Sequence, residues 1–232
     1  MAGSCRFKPD NADDRGNTAL PSLTLDAVSK RYGRKTVLGQ VDWTFAAGLT
    51  LLVGPSGAGK STLLRLIATA ERPTRGTLRW DGNALPAARR TLRAQLGYAP
   101  QAVDLPEELT GREFGLHMAA LKGLDHAASN GQLSYLGERL GLASDLDGRI
   151  STYSGGMRRR LVLAQALLGA PRLLALDEPT AELDAASIER VMGLIHERAQ
   201  AAVVIMTTHL AEGLDDAAIT TLHVEGGEVR AL

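Results

Sequence analysis

Residues 54–62 read GPSGAGKST, and Gly54, Gly59, Lys60 and Ser61 occupy the fixed positions of the pattern G-x-x-x-x-G-K-[ST]. Such a stretch suits phosphates, because glycine lets the backbone approach without a Cβ and N–H groups at the start of a following helix point at the anion. Gly54, Pro55, Ser56, Gly57, Ala58, Gly59, Lys60, Ser61 and Thr62 are therefore candidate nucleotide-binding residues. Lys60 is expected to reach the β- and γ-phosphates, and the Ser61 hydroxyl to bind Mg²⁺. The loop alone leaves the reaction open, since kinases, GTPases, motor ATPases and transport ATPases all use one. A second constellation is RLLALDEPT, an apolar run ending in Asp177 and Glu178. Burying an unpaired carboxylate costs free energy, so a pair at a strand end points to a cation or a reacting water nearby, the alternative being an ordinary acidic turn. Ser154 in YSGGM can cap a helix starting near Gly155, whose N-terminal dipole favours an anion.

These groups need elements to hold them. LTLLV before the loop is a short apolar strand, and KSTLLRLIATA after it repeats apolar residues at helical spacing. From Leu23 to about Gly48, alternation in LTLDAVSKRY and TVLGQVDWTFAAG predicts antiparallel strands turned near Gly33, and GTLRWDGNAL predicts a further hairpin strand ending at Asp81-Gly82. From about Leu109 to Leu146 the spacing is helical, broken at Gly123, Gly131 and Gly141. Beyond YSGGM, helix and strand alternate through RLLALDE, AASIERVMGLIHERA, AAVVIMTTH, LAEGLDDA and ITTLHVEGGEV, the rhythm of a largely parallel sheet. The expected fold is α/β: a P-loop NTPase core with a mixed, largely parallel sheet, an antiparallel β side sheet and an inserted α-helical subdomain over about 105–150.

The chain of 232 residues suits one large domain, expected over 22–232, behind a mobile extension at 1–21. Its 26 basic residues balance 26 acidic ones, so no global field argues for nucleic acid or an anionic membrane surface. The single cysteine, Cys5, excludes an intramolecular disulfide and fits a reducing cytoplasm. The first twenty residues lack the apolar core of a signal peptide, and no apolar run approaches the length of a membrane span, so export and membrane insertion are not expected. The run Arg158, Arg159 and Arg160 faces different directions on a helix and reads as a solvated face rather than a nucleic-acid footprint.

Taken in order, the phosphate loop, LGYAPQ, YSGGM, LLALDEP, AELD and VVIMTTH resemble the nucleotide-binding subunit of ATP-binding cassette (ABC) transporters, over nearly the whole chain from Leu23. The resemblance implies an ATPase in which Asp177 holds Mg²⁺ together with Ser61 and Gln101, and Glu178 polarises the attacking water. Lys60 and His209 would act on the γ-phosphate as further catalytic groups. Tyr32 in KRYG would stack on adenine, and Gln101 would link the nucleotide's state to the transport partner. Ser154, Gly155 and Gly156 would point at ATP held by a second copy, or by a homologous subunit, with Asp184 crossing the same interface. Separate transmembrane permease subunits would carry the substrate and hold the protein at the inner face of the membrane, with the helical insert receiving them. YSGGMRRRL looks like the exporter branch. Tyr153 and Met157 replace a leucine and a glutamine common in the family, and Glu182 stands where a glycine is usual. A soluble ATPase of the same type, or an ATP-gated module without turnover, is the alternative.

Overall fold

The protein is described from a computed structural model, over residues 20–208 and 219–232. Cys5, His209, the helical reading of LAEGLDDA and all but the last two residues of the expected extension lie outside the described residues.

The alternating N-terminal stretch pairs as its pattern requires. β1 (Ser22–Tyr32) and β2 (Lys35–Ala46) form an antiparallel hairpin, with Tyr32 opposite Lys35 across the turn. Leu23, Leu25 and Val28 face the core from β1, and Leu38, Val41 and Phe45 from β2. β4 (Arg75–Trp80) pairs with β1 and reverses through Asp81-Gly82 into the short β5 (Asn83–Ala84), giving a side sheet of order β2-β1-β4-β5.

The second sheet is built from β3 (Gly48–Val53), β6 (Leu96–Ala99), β7 (Leu173–Asp177), β8 (Val203–Thr207), β9 (Ile219–Glu225) and β10 (Glu228–Ala231), in the order β10-β9-β3-β8-β7-β6. Every pair is parallel except the β9–β10 hairpin. β7 and β8 are buried at each residue, as parallel strands covered on both faces must be. Their side chains divide by parity. Leu173, Ala175, Val203 and Ile205 join the core under α1 (Lys60–Ile67) and the side sheet. Leu174, Leu176, Val204 and Met206 join the opposite core, under α5 (Gly155–Leu167) and α6 (Ala185–Ala199). Each such leucine stabilises the fold by roughly 1.5–3 kcal/mol.

The helical stretch contains α3 (Gly111–Leu121) and α4 (His126–Leu140). Thr110 and Glu113 form a capping box on α3, and Asp125 caps α4, which ends at Gly141 in the left-handed conformation. Gly131 does not break the chain as expected but lies inside α4. Packing of Leu133, Leu136 and Leu140 outweighs the roughly 1 kcal/mol that glycine costs a helix. A six-residue helix, α2 (Arg89–Ala94), carries no apolar period and was not expected; Arg89 and Arg93 donate to the Thr69 carbonyl just past the end of α1. α5 meets β6 backbone to backbone: a Cβ on Gly97 would lie 2.1 Å from the Ala166 carbonyl oxygen. No helix among the described residues is long and apolar enough to cross a membrane.

Candidate active site

The phosphate loop joins β3 to α1, as its pattern predicts. Gly54 has φ 137, and a Cβ there would lie 2.1 Å from the Val224 carbonyl oxygen, so both conformation and packing against β9 require glycine. Gly59, at φ 111, opens α1. Pro55, Ser56 and Gly57 are exposed, Gly54 and Ala58 are half-buried, and Thr62 is buried with its hydroxyl accepting from Arg65. Lys60 is 6% exposed and folds back over the loop, its Nζ donating to the carbonyls of Gly54 at 2.6 Å and Pro55 at 2.9 Å.

The acid pair stands at the end of β7, next to β8. Asp177 is 4% exposed, and its Oδ1 accepts from Ser61 Oγ at 3.2 Å and from Thr207 Oγ1 at 2.7 Å. The Glu178 N–H donates to the same Thr207 hydroxyl at 2.8 Å, and Glu178 takes φ 52. A glutamate in that region costs strain, of order 1 kcal/mol or more, which the surrounding bonds sustain. Gln101 Nε2 donates to Glu178 Oε2 at 3.1 Å, and Arg159 Nη1 donates to the Glu178 carbonyl at 2.9 Å. Burial, then the nearby charge of Asp177, pushes the Tyr98 phenol up.

Thr207 and Arg159 are the site residues that motif reading missed. Thr207 sits in TTH, two positions before His209, and its hydroxyl could have been suspected only once β7 and β8 were known to be neighbours. The arginine run is not the solvated face expected of it. Arg158 binds the Tyr153 carbonyl and Glu107, Arg159 the Glu178 carbonyl, and Arg160 the carbonyls of Gly156 and Leu140. All three are half-buried, because each direction they take from α5 meets a different neighbouring element.

Ser154 caps α5, accepting from the Met157 N–H at 3.3 Å, while Ser154 and Gly155 stay exposed. The buried Tyr153 donates to the Asp145 carbonyl at 2.6 Å, fastening this turn to the helical stretch. Asp184 caps α6 through the Ser187 N–H at 2.8 Å; that bond and the Ser187 hydroxyl hold its carboxyl below the usual range. Among the described residues, no hydrogen bond joins 154–156 or Asp184 to the phosphate loop of the same chain.

Tyr32 is 43% exposed at the end of β1. Its hydroxyl donates to Glu71 Oε2 at 2.5 Å, and Lys30 Nζ lies 4.8 Å from its ring centre and 2.8 Å from the same carboxylate. Arg65 donates to Glu71 Oε1 at 2.7 Å and to Thr62, so a polar chain runs from α1 to Tyr32. Burial raises the Glu71 carboxyl, but the bonds from Lys30, Tyr32 and Arg65 outweigh it and hold the group at about 2, against an ordinary 4.5. Folding thus favours its charged form: the stabilisation is full above 4.5 and disappears as pH falls through about 2. Glu71→Gln is expected to lose about 1–2 kcal/mol at neutral pH, discounted for solvent access, and to match the parent in acid. Urea unfolding at a series of pH values checks this.

The oxygen donors Ser61 Oγ and Asp177 Oδ1 suit a hard cation, and no cluster of three acidic, histidine or cysteine side chains among the described residues would cage a metal alone. That composition fits Mg²⁺, which keeps waters and shares its shell with phosphates.

Residues 38–181 match the model of the ABC transporter family. The chain is 38% identical over 197 residues to the Nod factor export ATP-binding protein I of Paraburkholderia xenovorans (strain LB400), covering 82% of this chain and 64% of that protein. It is 35% identical over 212 residues to the daunorubicin/doxorubicin resistance ATP-binding protein DrrA of Streptomyces peucetius, covering 90% and 64%. The chain therefore spans a little under two thirds of these relatives. A solved structure of the ATP binding subunit of an ABC transporter superposes with a TM-score of 0.80 at 28% identity, over 92% of this chain and 90% of that one.

Proposed function

We propose, from the premise that this chain belongs to the ABC transporter family, that it is an ATP-hydrolysing subunit driving export through separate membrane subunits. The observation that carries the reading is the 3.2 Å contact between Ser61 Oγ and Asp177 Oδ1, which puts a phosphate-loop hydroxyl beside a strand-end carboxylate. The names of the relatives, export and drug-resistance ATP-binding proteins, favour export.

In this reading the N–H groups of 54–62 hold the phosphates, and Lys60 Nζ exchanges the carbonyls of Gly54 and Pro55 for phosphate oxygens. Ser61 and Asp177, with Gln101, hold Mg²⁺, which when bound neutralises charge on the β- and γ-phosphates. Thr207 ties Asp177 to the Glu178 backbone, fixing the point from which the Glu178 side chain projects, and Gln101 meets the carboxylate itself. Glu178 then accepts a proton from the attacking water at a carboxylate oxygen, with Gln101 and His209 orienting the reactants. Tyr32 stacks on the base, its hydroxyl anchored by Glu71.

Ser154 and Gly155 are exposed, Gly156 is half-buried, and among the described residues none of the three is hydrogen-bonded to its own chain's loop, so the first turn of α5 serves the phosphates of a second copy, with Asp184 at the same seam. Residues 22–232 act as the ATPase domain. The stretch over about 105–150 works as its subdomain against the membrane subunits, which keep the chain on the cytoplasmic face of the membrane. Turnover of the purified chain should rise more steeply than linearly with its own concentration, until the pair is saturated. Linear turnover from the most dilute sample, with monomers seen by sedimentation, would sink the shared site.

A further inference from the structure

The segment joining β7 to α6 lies over the first turn of α5 of its own chain. Glu182 Oε2 is 3.7 Å from where a Cβ on Gly155 would stand, and Leu183 Cδ2 is 3.4 Å from that of Gly156. The Glu182 carboxylate is also 4.0 Å from Arg159 Nη2, while its side chain remains 77% exposed. Its backbone, at φ 61, is in the left-handed region that glycine adopts freely and glutamate does not. Anchors on either side hold that conformation: Glu178 through Thr207 and Arg159, and Asp184 through its cap on α6.

At the start of α5, Ser154 takes only the Met157 N–H, and those of Gly155 and Gly156 meet no acceptor among the described residues. Unpaired N–H groups give a helix start its positive partial charge, and Glu182 sets a full negative charge beside them. We propose that Glu182 is a built-in counter-ion for this turn, which opposes approach of a second copy's nucleotide phosphate and so raises the concentration at which the ATP-bound pair closes.

The inference rests on the reading that two copies share each ATP. Before closure, the carboxylate partly neutralises the helix start. On closure a phosphate group must reach the same N–H groups, and the carboxylate either swings toward Arg159 or stays as a like charge at short range. Its exposure leaves it free to swing, and Arg159 is the cation within reach. Either course costs free energy at both sites of a symmetric pair, and a glycine would impose neither cost.

The test is sedimentation of the full chain with ATP in low salt, in a Glu178→Gln background that stops turnover, comparing Glu182 with Glu182→Gln and Glu182→Gly. Both substitutions are expected to bring pairing to about tenfold lower protein concentration, and the gap should narrow as salt rises toward about 0.5 M. Glu182→Gly should also raise the thermal midpoint by relieving the backbone, whereas Glu182→Gln should not, which separates conformation from charge. If the parent pairs with ATP and Glu182→Gln pairs no more readily, the counter-ion is overturned and the shared site stands. A shift seen with glycine alone overturns it too, in favour of backbone strain. A parent that never pairs with ATP overturns the shared site, and this inference with it.

Discussion

Glu178→Gln should bind ATP as the parent does and lose hydrolysis by about 10²- to 10⁴-fold, the range that a positioned general base contributes. The amide keeps the size of the side chain and can still meet Gln101, which lies 3.1 Å from Glu178 Oε2, so the fold and the strained backbone should survive. What disappears is the ability to accept a proton from water. Binding without turnover should also make ATP-bound pairs accumulate, visible as a shift on a sizing column. Steady-state phosphate release and nucleotide titration give the two readings. Parental turnover in this variant would remove Glu178 from the role and move attention to His209 or to a water-mediated base.

Two inactive variants should restore one another if the site is shared. Lys60→Ala removes the cation of the phosphate loop, while Ser154→Arg replaces the cap of α5 with a bulky side chain at an exposed turn. Each homodimer should lose about 10²-fold or more in turnover, the scale of one electrostatic donor aimed at developing charge. A mixed pair has one damaged site and one built from the intact loop of one chain and the intact turn of the other. With free exchange and independent sites, an equal mixture should reach about a quarter of parental turnover, since half the dimers are mixed. Loss of the Ser154 cap costs about 1 kcal/mol, so a thermal melt of each variant guards against reading unfolding as inactivity. A mixture shown to contain mixed dimers, yet no more active than its parts, would falsify the shared site.

Local chemistry made much of this molecule legible before any fold was known. Glycines at 54 and 59 with Lys60 and Ser61 announce the phosphate loop because that order meets the backbone and charge demands of the job. Alternation in β1 and β2, and continuous apolar runs in β3, β7 and β8, follow directly from whether one face or both are covered. Ser154 as a cap was readable from its side chain and the glycines after it. Gly131 and α2 were misread or missed because propensity is a weak local term that packing overrides.

What no stretch of sequence could state is adjacency across the sheet. Residues 61, 177 and 207 lie far apart along the chain, and they converge because parallel pairing of β7 with β8 sets Asp177 opposite Thr207. The same packing turns three consecutive arginines on α5 into three different contacts and brings Arg159 to the Glu178 carbonyl. It also lays Glu182 over Gly155, a relation between residues on separate elements. Helix caps and apolar periods were legible along the chain, because these depend on neighbours within a few positions. Tertiary structure decided which of those residues share charge, hydrogen bonds and strain, because such terms fall off within a few ångströms of space whatever the distance along the chain.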